Sequence, residues 1–134
     1  MTELSVVALS GRFVLLEPLG ADHVDEIAAA GGGDRTSFGS TQVPDGSEEA
    51  AEYVRWLLGD AAHGRAAPFV QRRADDGAVV GCTRFLNPAW PLGRADPDEV
   101  EIGGTWLSAA AQRTPINSEA KLLLLTHAFD TWKV

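Results

Sequence analysis

The strongest pattern in the sequence is helical and lies near the middle of the chain. Between positions 47 and 62, apolar residues recur three and four positions apart, as they do on one face of an amphipathic helix. Ser47 is followed by two glutamates in an opening similar to a capping box. The pattern therefore predicts a helix from about Ser47 to Ala62. Its predicted apolar face consists of Ala50, Tyr53, Val54, Leu57, Leu58 and Ala61.

Two further helices are predicted from similar spacing. Near the N-terminus, apolar residues at helical spacing follow Asp22, a typical capping residue, and precede Gly31-Gly32-Gly33, which ends the pattern. A third helix is predicted from Pro115 or Ile116 to about Phe129. Its apolar residues fall on two sides, with Ala120, Leu123, Leu124 and His127 on one and Leu122, Leu125 and Phe129 on the other.

Four runs of β-prone residues predict strands. The first runs from 12 to 18, and the runs 67–72 and 79–86 are predicted to form an antiparallel hairpin because an Asp-Gly step separates them. The run from Glu99 to Leu107 alternates apolar with charged or polar residues, which indicates two unlike faces. Gly103-Gly104 interrupts this alternation and predicts a bulge.

The segment from Asn87 to Asp98 is predicted to be a connection, because it contains three prolines and one glycine. The predicted order is therefore strand, helix, helix, three strands and a last helix. This order predicts an α+β fold, with a mostly antiparallel sheet and flanking helices. The length of 134 residues fits one domain, 1–134.

Composition excludes several classes of function. Nineteen acidic against eleven basic residues give a net charge of −8, which argues against general binding of nucleic acid. Cys82 is the only cysteine and lies in an apolar run, so an internal disulfide is excluded and a buried thiol is predicted. The histidines share no metal-ligand spacing, and no metal is expected. They are His23, His63 and His127.

The N-terminal segment from Met1 to Ser10 has no basic region followed by a long apolar one. No run approaches the roughly 20 apolar residues of a membrane span. We therefore expect a cytoplasmic protein with no membrane partner. Arginine is far more frequent than lysine, which suggests a GC-rich bacterial genome.

The most informative chemistry lies where the strand from Glu99 to Leu107 leads through a polar turn into the last helix. An extended ligand can pair with such a strand, and free N–H groups at a helix N-terminus bind phosphate. A bulge at Gly103-Gly104 would leave strand N–H groups unpaired. Glu99 and Glu101 lie on one face of the strand, so they are candidates for a general base. The alternative is that both are ordinary solvent-facing charges.

Two stretches carry a family resemblance: VEIGGTWL at 100–107, and QRT at 112–114 followed by NSEAKLLLL at 117–125. They resemble the GNAT superfamily of N-acetyltransferases, and within it the branch that includes ribosomal-protein N-terminal alanine acetyltransferases. Segments 11–19 and 80–85 resemble that branch's first and third strands. The resemblance implies the acyl-CoA N-acyltransferase fold, acetyl-CoA as co-substrate, and acetyl transfer to a primary amine of a protein N-terminus or a small molecule.

The resemblance also implies a site along the strand, the turn and the start of the helix. A backbone N–H near Leu107 would stabilise the oxyanion, and Gln112 and Arg113 would approach the phosphates. Glu101 is preferred over Glu99 as the base because it lies deeper in the strand. Taken alone, Gln112 and Arg113 would more often be an ordinary surface pair, but the strand before them and the helix after them make contact with phosphate about equally expected. The predicted cofactor-binding residues are Trp106, Leu107, Gln112, Arg113, Thr114, Ile116, Asn117 and Ser118.

The sequence departs from the family's turn at Pro115 and Asn117, where small residues are usual. Proline removes one N–H donor, but it suits the first helical position after a Thr114 cap. We therefore expect weaker phosphate contact, through the N–H groups of Ile116, Asn117 and Ser118.

The family's fold continues with another strand, a helix and a hairpin, for which this sequence has no residues. We expect either a fragment, or a shortened protein that completes its sheet with a second copy, as a homodimer, or with another partner. The alternative to an enzyme is a shortened, non-catalytic module that binds acyl-CoA or dimerises.

Overall fold

A computed structural model describes residues 4–134 as a five-stranded sheet with helices on both faces. The strands lie side by side in chain order, and each is antiparallel to the next. The predicted α+β fold is therefore confirmed. The first three residues of the N-terminal segment discussed above lie outside the described residues. The strands are β1 (Leu9–Ser10), β2 (Val14–Pro18), β3 (Ala66–Arg73), β4 (Val79–Ala89) and β5 (Glu99–Leu107).

Three α-helices and several shorter helical turns complete the fold. The helices are α1 (Val24–Gly31), α2 (Gly46–Ala62) and α3 (Ile116–Thr126). Short 3-10 turns are found at Ala21–His23, Thr36–Phe38 and Ala109–Ala111, and α3 continues into a π-helical turn at His127–Thr131. The last predicted helix is thus confirmed, and its helical geometry extends slightly past Phe129.

Each face of the sheet covers its own core, as the alternation of side chains in the strands requires. On one face, Phe69 and Phe85 pack with Leu124 of α3 and with Trp132. On the other face, the buried residues come from α1, α2, β3, β4 and β5. They include Ile27, Val54, Leu57, Val70, Cys82 and Trp106. Each fully buried large apolar side chain stabilises the fold by about 1.5 to 3 kcal/mol.

The predicted helix caps are wrong in detail. Helix α2 begins one residue before Ser47, and its cap residue is Asp45, whose N–H donates to the Glu49 carboxylate at 3.0 Å. Asp22 lies inside a 3-10 turn and does not cap α1. The imidazole of His23 accepts the Gly20 N–H at 2.9 Å instead. The chain therefore satisfies its free N–H groups with side chains other than the ones that sequence spacing favours.

The predicted connection from Asn87 to Asp98 is wrong at its start, because β4 extends to Ala89 and pairs there with Glu99. The pairing is irregular between Leu86 and Ala89, so the strand includes a proline near its end. The two-residue strand β1 was not predicted, since it is too short to show a period. The first predicted strand begins two residues later than expected, at Val14.

A partly buried polar network joins β2, β3 and α1. Arg72 donates to Glu17 at 2.9 Å and to Glu26 at 2.7 Å, and His23 contacts Glu17 at 2.6 Å. The hydrogen bonds from Arg72 hold the pKa of both glutamates below their usual value. This network fixes α1 against the sheet, on the face that also carries α2.

The side chain of Glu119 joins α3 to the hairpin formed by β1 and β2. Its carboxylate accepts the backbone N–H groups of Arg12, Phe13 and Val14 at 2.9, 2.7 and 2.9 Å. Burial raises the pKa of this carboxyl, but the three hydrogen bonds outweigh that effect and lower the pKa overall. A Cβ at Gly11 would overlap this carboxylate, so glycine is needed there for close approach.

Cys82 is buried as predicted, and burial raises the pKa of its thiol to about 12. The thiol is therefore protonated and unreactive at neutral pH. Among residues 4–134, no helix combines the length and the apolar character needed to cross a membrane.

Candidate functional site

The predicted bulge in β5 is confirmed by the register of its pairing with β4. Cys82 lies opposite Trp106, whereas Arg84 lies opposite Gly103, so β5 holds one more residue than β4 over this interval. Gly104 has a φ of 61°, in the left-handed region that glycine adopts without strain. The bulge changes the direction of the strand just before Trp106.

The peptide bond between Trp106 and Leu107 directs an N–H group to the free edge of the sheet. A Cβ at Gly81 of β4 would overlap the Trp106 carbonyl oxygen, so this carbonyl faces β4. In a trans peptide the N–H points opposite to the C=O, and the Leu107 N–H therefore faces away from β4. In the described part of the chain, no strand lies on that side of β5.

The turn after β5 leads into α3 with several N–H groups free. The first α-helical bond of α3 is donated by Glu119 to the Pro115 carbonyl at 3.0 Å. The N–H groups of Asn117 and Ser118 precede this bond and point out of the helix end. The N–H of Ile116 lies 3.4 Å from the Thr114 hydroxyl, a long contact. Pro115 has a φ of −67° and fits the start of the helix.

Side chains of this turn hold it against the sheet and against a loop. The Gln112 amide donates to the Leu107 carbonyl and to the Ser37 hydroxyl, both at 2.9 Å. Thr114 donates to the Ala111 carbonyl at 2.6 Å. Arg113 has a φ of 61°, is exposed, and lines a shallow cavity together with Gln112.

A cavity of about 200 Å³ lies between β5 and the start of α3. It is lined by four of the predicted cofactor-binding residues, namely Trp106, Leu107, Gln112 and Asn117. The Asn117 Oδ1 atom is buried and has no hydrogen-bond partner among the described residues. The side chains of Trp106, Leu107 and Ile116 belong to the core, so these residues can offer a ligand mainly their backbone.

A larger cavity of about 520 Å³ adjoins the first, since Thr41 lines both. It lies between the loop before α2 and the exposed side of α2. Its walls are Thr41, Gln42, Val43, Pro44, Glu49, Glu52, Tyr53 and Trp56. A third, smaller cavity connects Tyr53 and Trp56 with Arg84 and Gly104 of the sheet. We call the second and third cavities together the α2 cleft, and the first one the β5 cavity.

The α2 cleft and the β5 cavity meet at a hydrogen bond between two aromatic side chains. The Trp106 indole N–H donates to the Tyr53 hydroxyl oxygen at 3.1 Å. Burial raises the pKa of Tyr53 well above its usual value, so the hydroxyl keeps its proton at neutral pH.

The two glutamates predicted as bases lie on the face of β5 that carries α2. Glu101 is opposite Leu86, which is two residues from Arg84 on the same face of β4. The Asn87 amide donates to the Glu101 carboxylate at 3.0 Å. Both glutamates are exposed, and Glu99 lies further from the bulge.

Sequence reasoning did not single out several residues of this region. Trp56 lies in the predicted central helix but not on its predicted apolar face, and Arg84 lies in a predicted strand. Asn87 was placed in a connection, although it ends the regular part of β4 with a φ of 50°. Only the pairing of β4 with β5 brings Arg84 beside Gly104 and Asn87 beside Glu101. No local spacing could have indicated that.

No model of a protein family and no curated protein matches the sequence. Solved structures match it in fold. A GCN5-related N-acetyltransferase from Brucella melitensis matches 97% of this chain over 57% of its own, with a TM-score of 0.78 and 24% identity. The ribosomal-protein-S5-alanine acetyltransferase from Vibrio fischeri matches 93% of this chain over 68% of its own, with a TM-score of 0.71 and 15% identity.

A third match is the microcin C7 self-immunity acetyltransferase MccE, solved in complex with acetyl-CoA and AMP. It matches 90% of this chain over 65% of its own, with a TM-score of 0.73 and 14% identity. The chain thus spans 57% to 68% of the length of these three proteins. The fold that the resemblance implied is confirmed: the chain has the fold of the GCN5-related N-acetyltransferases, ribosomal-protein acetyltransferases included.

Proposed function

We propose that the protein transfers an acetyl group from acetyl-CoA to a primary amine. The observation that carries this proposal is the outward-facing Leu107 N–H, at the end of a bulged strand that leads directly to the free N–H groups of α3. An extended acyl chain can pair with such a strand, and a pyrophosphate can bind at such a helix end. The acetyl-CoA complex of MccE supports the choice of ligand.

Acetyl-CoA would supply the activated acetyl group, and the residues of this chain would hold it. The N–H groups of Asn117 and Ser118, with that of Ile116, would bind the pyrophosphate, next to Arg113 and Thr114. Gln112 would keep the turn in place through its hydrogen bonds to Leu107 and Ser37. The Leu107 N–H would stabilise the negative charge that develops on the carbonyl oxygen.

The amine would approach from the α2 cleft, where Glu101 is the preferred base and Glu99 the second candidate. Asn87 holds the Glu101 carboxylate by a hydrogen bond. The nitrogen forms a bond to the acetyl carbon, the C–S bond breaks, and the proton lost from the amine passes to the carboxylate, directly or through water. The leaving thiolate takes up a proton from that carboxyl group or from water, and the products are the acetylated amine and the free thiol.

Release of free thiol from acetyl-CoA in the presence of a panel of amines tests the proposal. We expect turnover with at least one amine, and a loss of about a hundredfold or more in kcat for Glu101→Gln. Asp130→Asn changes an exposed carboxylate on the opposite face and serves as the matched control. Full activity of Glu101→Gln would remove Glu101 from the base role, and absence of turnover with every amine would contradict the enzyme.

The alternative is a non-catalytic module that binds acyl-CoA. It is favoured by the extent of the match, which covers only 57% of the length of the Brucella melitensis protein. The two functions differ in one measurement, because the module would bind acetyl-CoA and release no thiol in the presence of amines.

A further inference from the structure

Arg84 borders the α2 cleft, and no carboxylate pairs with it among residues 4–134. Its guanidinium is partly buried, yet among residues 4–134 it takes part in none of the ion pairs or side-chain hydrogen bonds. Arg35, Arg65, Arg72, Arg73 and Arg94 all lie within 4 Å of a carboxylate. A guanidinium has five N–H donors, and those of Arg84 are open to a ligand.

The guanidinium is held in one position by its surroundings. Its central carbon lies 5.2 Å from the centre of the Trp56 ring, in a cation–π contact. It also lies against Gly104, where a Cβ would overlap the guanidinium nitrogens. The bulge that directs Leu107 to the free edge therefore also makes room for Arg84. An ordered cation of this kind is suited to bidentate contact with an oxyanion.

Arg84 is also close to the candidate base. Arg84 pairs with Gly103, and Glu101 lies two residues away on β5 and on the same face. Such diagonal neighbours in a sheet are roughly 7 to 8 Å apart. The two side chains form no ion pair with each other in the described structure, so each is available to a different group of one small ligand.

We propose, on the basis of the acetyltransferase function above, that the acceptor is a small amine that also carries a carboxylate or a phosphate. Arg84 and Trp56 bind the oxyanion, and Glu101 faces the amine. Arg84 lines a cavity of about 80 Å³, which shares four lining residues with the neighbouring cavity of about 520 Å³, and together the two suit a small molecule. Arg84 would therefore favour acceptors that carry an anionic group, although other charged residues in this region are acidic. These acidic residues are Glu49, Glu52 and Glu101.

Binding of matched pairs of amines tests this inference without relying on turnover. The probes are phosphoethanolamine against ethanolamine, and alanine against alaninamide. Nuclear magnetic resonance would follow the indole N–H of Trp56 and the side-chain N–H of Arg84. We expect the anionic member of one pair to bind about ten- to a hundredfold more tightly than its neutral partner. The pair that responds distinguishes a phosphate from a carboxylate.

Arg84→Gln should remove that preference, Arg84→Lys should restore part of it, and Arg65→Gln, on an exposed arginine, should leave it unchanged. Equal binding of the two members of both pairs, or no binding of either anionic probe at millimolar concentration, would overturn the inference. The comparison of the anionic and neutral amines uses the wild-type protein, so its result does not depend on whether any variant folds. Failure of acetyl transfer with every amine would count against the proposed function, whereas the binding preference is measured separately.

Discussion

At the scale of single residues, Glu119 shows how one side chain can tie a helix to a distant hairpin. Its carboxylate accepts three N–H groups from the turn between β1 and β2. Two of these groups lie near solvent, and the Val14 N–H is partly buried. Removal of the carboxylate would therefore leave mainly one donor without a partner.

We expect Glu119→Ala to lower the free energy of unfolding by about 1 to 2 kcal/mol at neutral pH. Lys121→Ala, at an exposed position of the same helix, should change it by less than about 0.5 kcal/mol. Chemical denaturation measures both. An effect of Glu119→Ala no larger than that of the control would mean that the three hydrogen bonds contribute nothing.

The same side chain predicts a pH dependence. Because the folded protein lowers the pKa of Glu119, its contribution is fully present above the usual value of 4.5 and is lost as the pH falls through the lowered pKa. The difference in stability between wild type and Glu119→Gln should therefore shrink below about pH 4.5. A difference that grows on acidification would contradict this assignment.

Many individual residues of the candidate site could not be predicted from the sequence. Glu101 could be proposed because its strand alternates clearly. Arg84 and Asn87 could not, because their importance depends on which residues of β5 lie opposite them. The Glu119 contact spans more than a hundred residues, and no local pattern indicates it.

At the scale of elements, the junction of β5 with α3 carries the proposed ligand contacts. Strand β5 and helix α3 were predictable, because an alternating pattern and a helical one meet there. The bulge was predictable from Gly103-Gly104. The caps of α1 and α2 were not, since several nearby polar groups compete for the same N–H groups and tertiary contacts decide between them.

Pro115 offers a direct test of this junction. Pro115→Ala restores a backbone N–H at the helix start, where an added hydrogen bond to phosphate is worth about 1.5 kcal/mol or more. We expect acetyl-CoA to bind about tenfold more tightly, as measured by calorimetry. Pro91→Ala, in the exposed connection after β4, should leave the affinity unchanged. Equal affinities of the two variants would place the pyrophosphate away from α3.

At the scale of the whole molecule, the described sheet ends at β5 with an unpaired edge. Free N–H and C=O groups on a strand edge favour pairing with another chain. We propose that a second copy of this chain pairs with the part of this edge before the bulge, which leaves the Leu107 N–H free for acetyl-CoA. The α+β fold was predictable from the order of elements, whereas the assembly depends on surfaces that a single sequence does not specify.

Sedimentation at several concentrations, with hydrogen exchange along β5, tests the assembly. We expect a dimer in which N–H groups of β5 before Gly103 exchange slowly and become faster on dilution, while the Leu107 N–H stays open to the ligand. A monomer at all concentrations would show that this edge stays unpaired.

The β5 strand and the start of α3 are the proposed acetyl-CoA site. Calorimetric titration of the folded 134-residue chain with acetyl-CoA tests this site most directly. We expect saturable binding at one site per chain, and weaker binding of pantetheine, which lacks the pyrophosphate that the start of α3 would bind. Absence of binding by a chain that circular dichroism and cooperative unfolding show to be folded would contradict the proposed site.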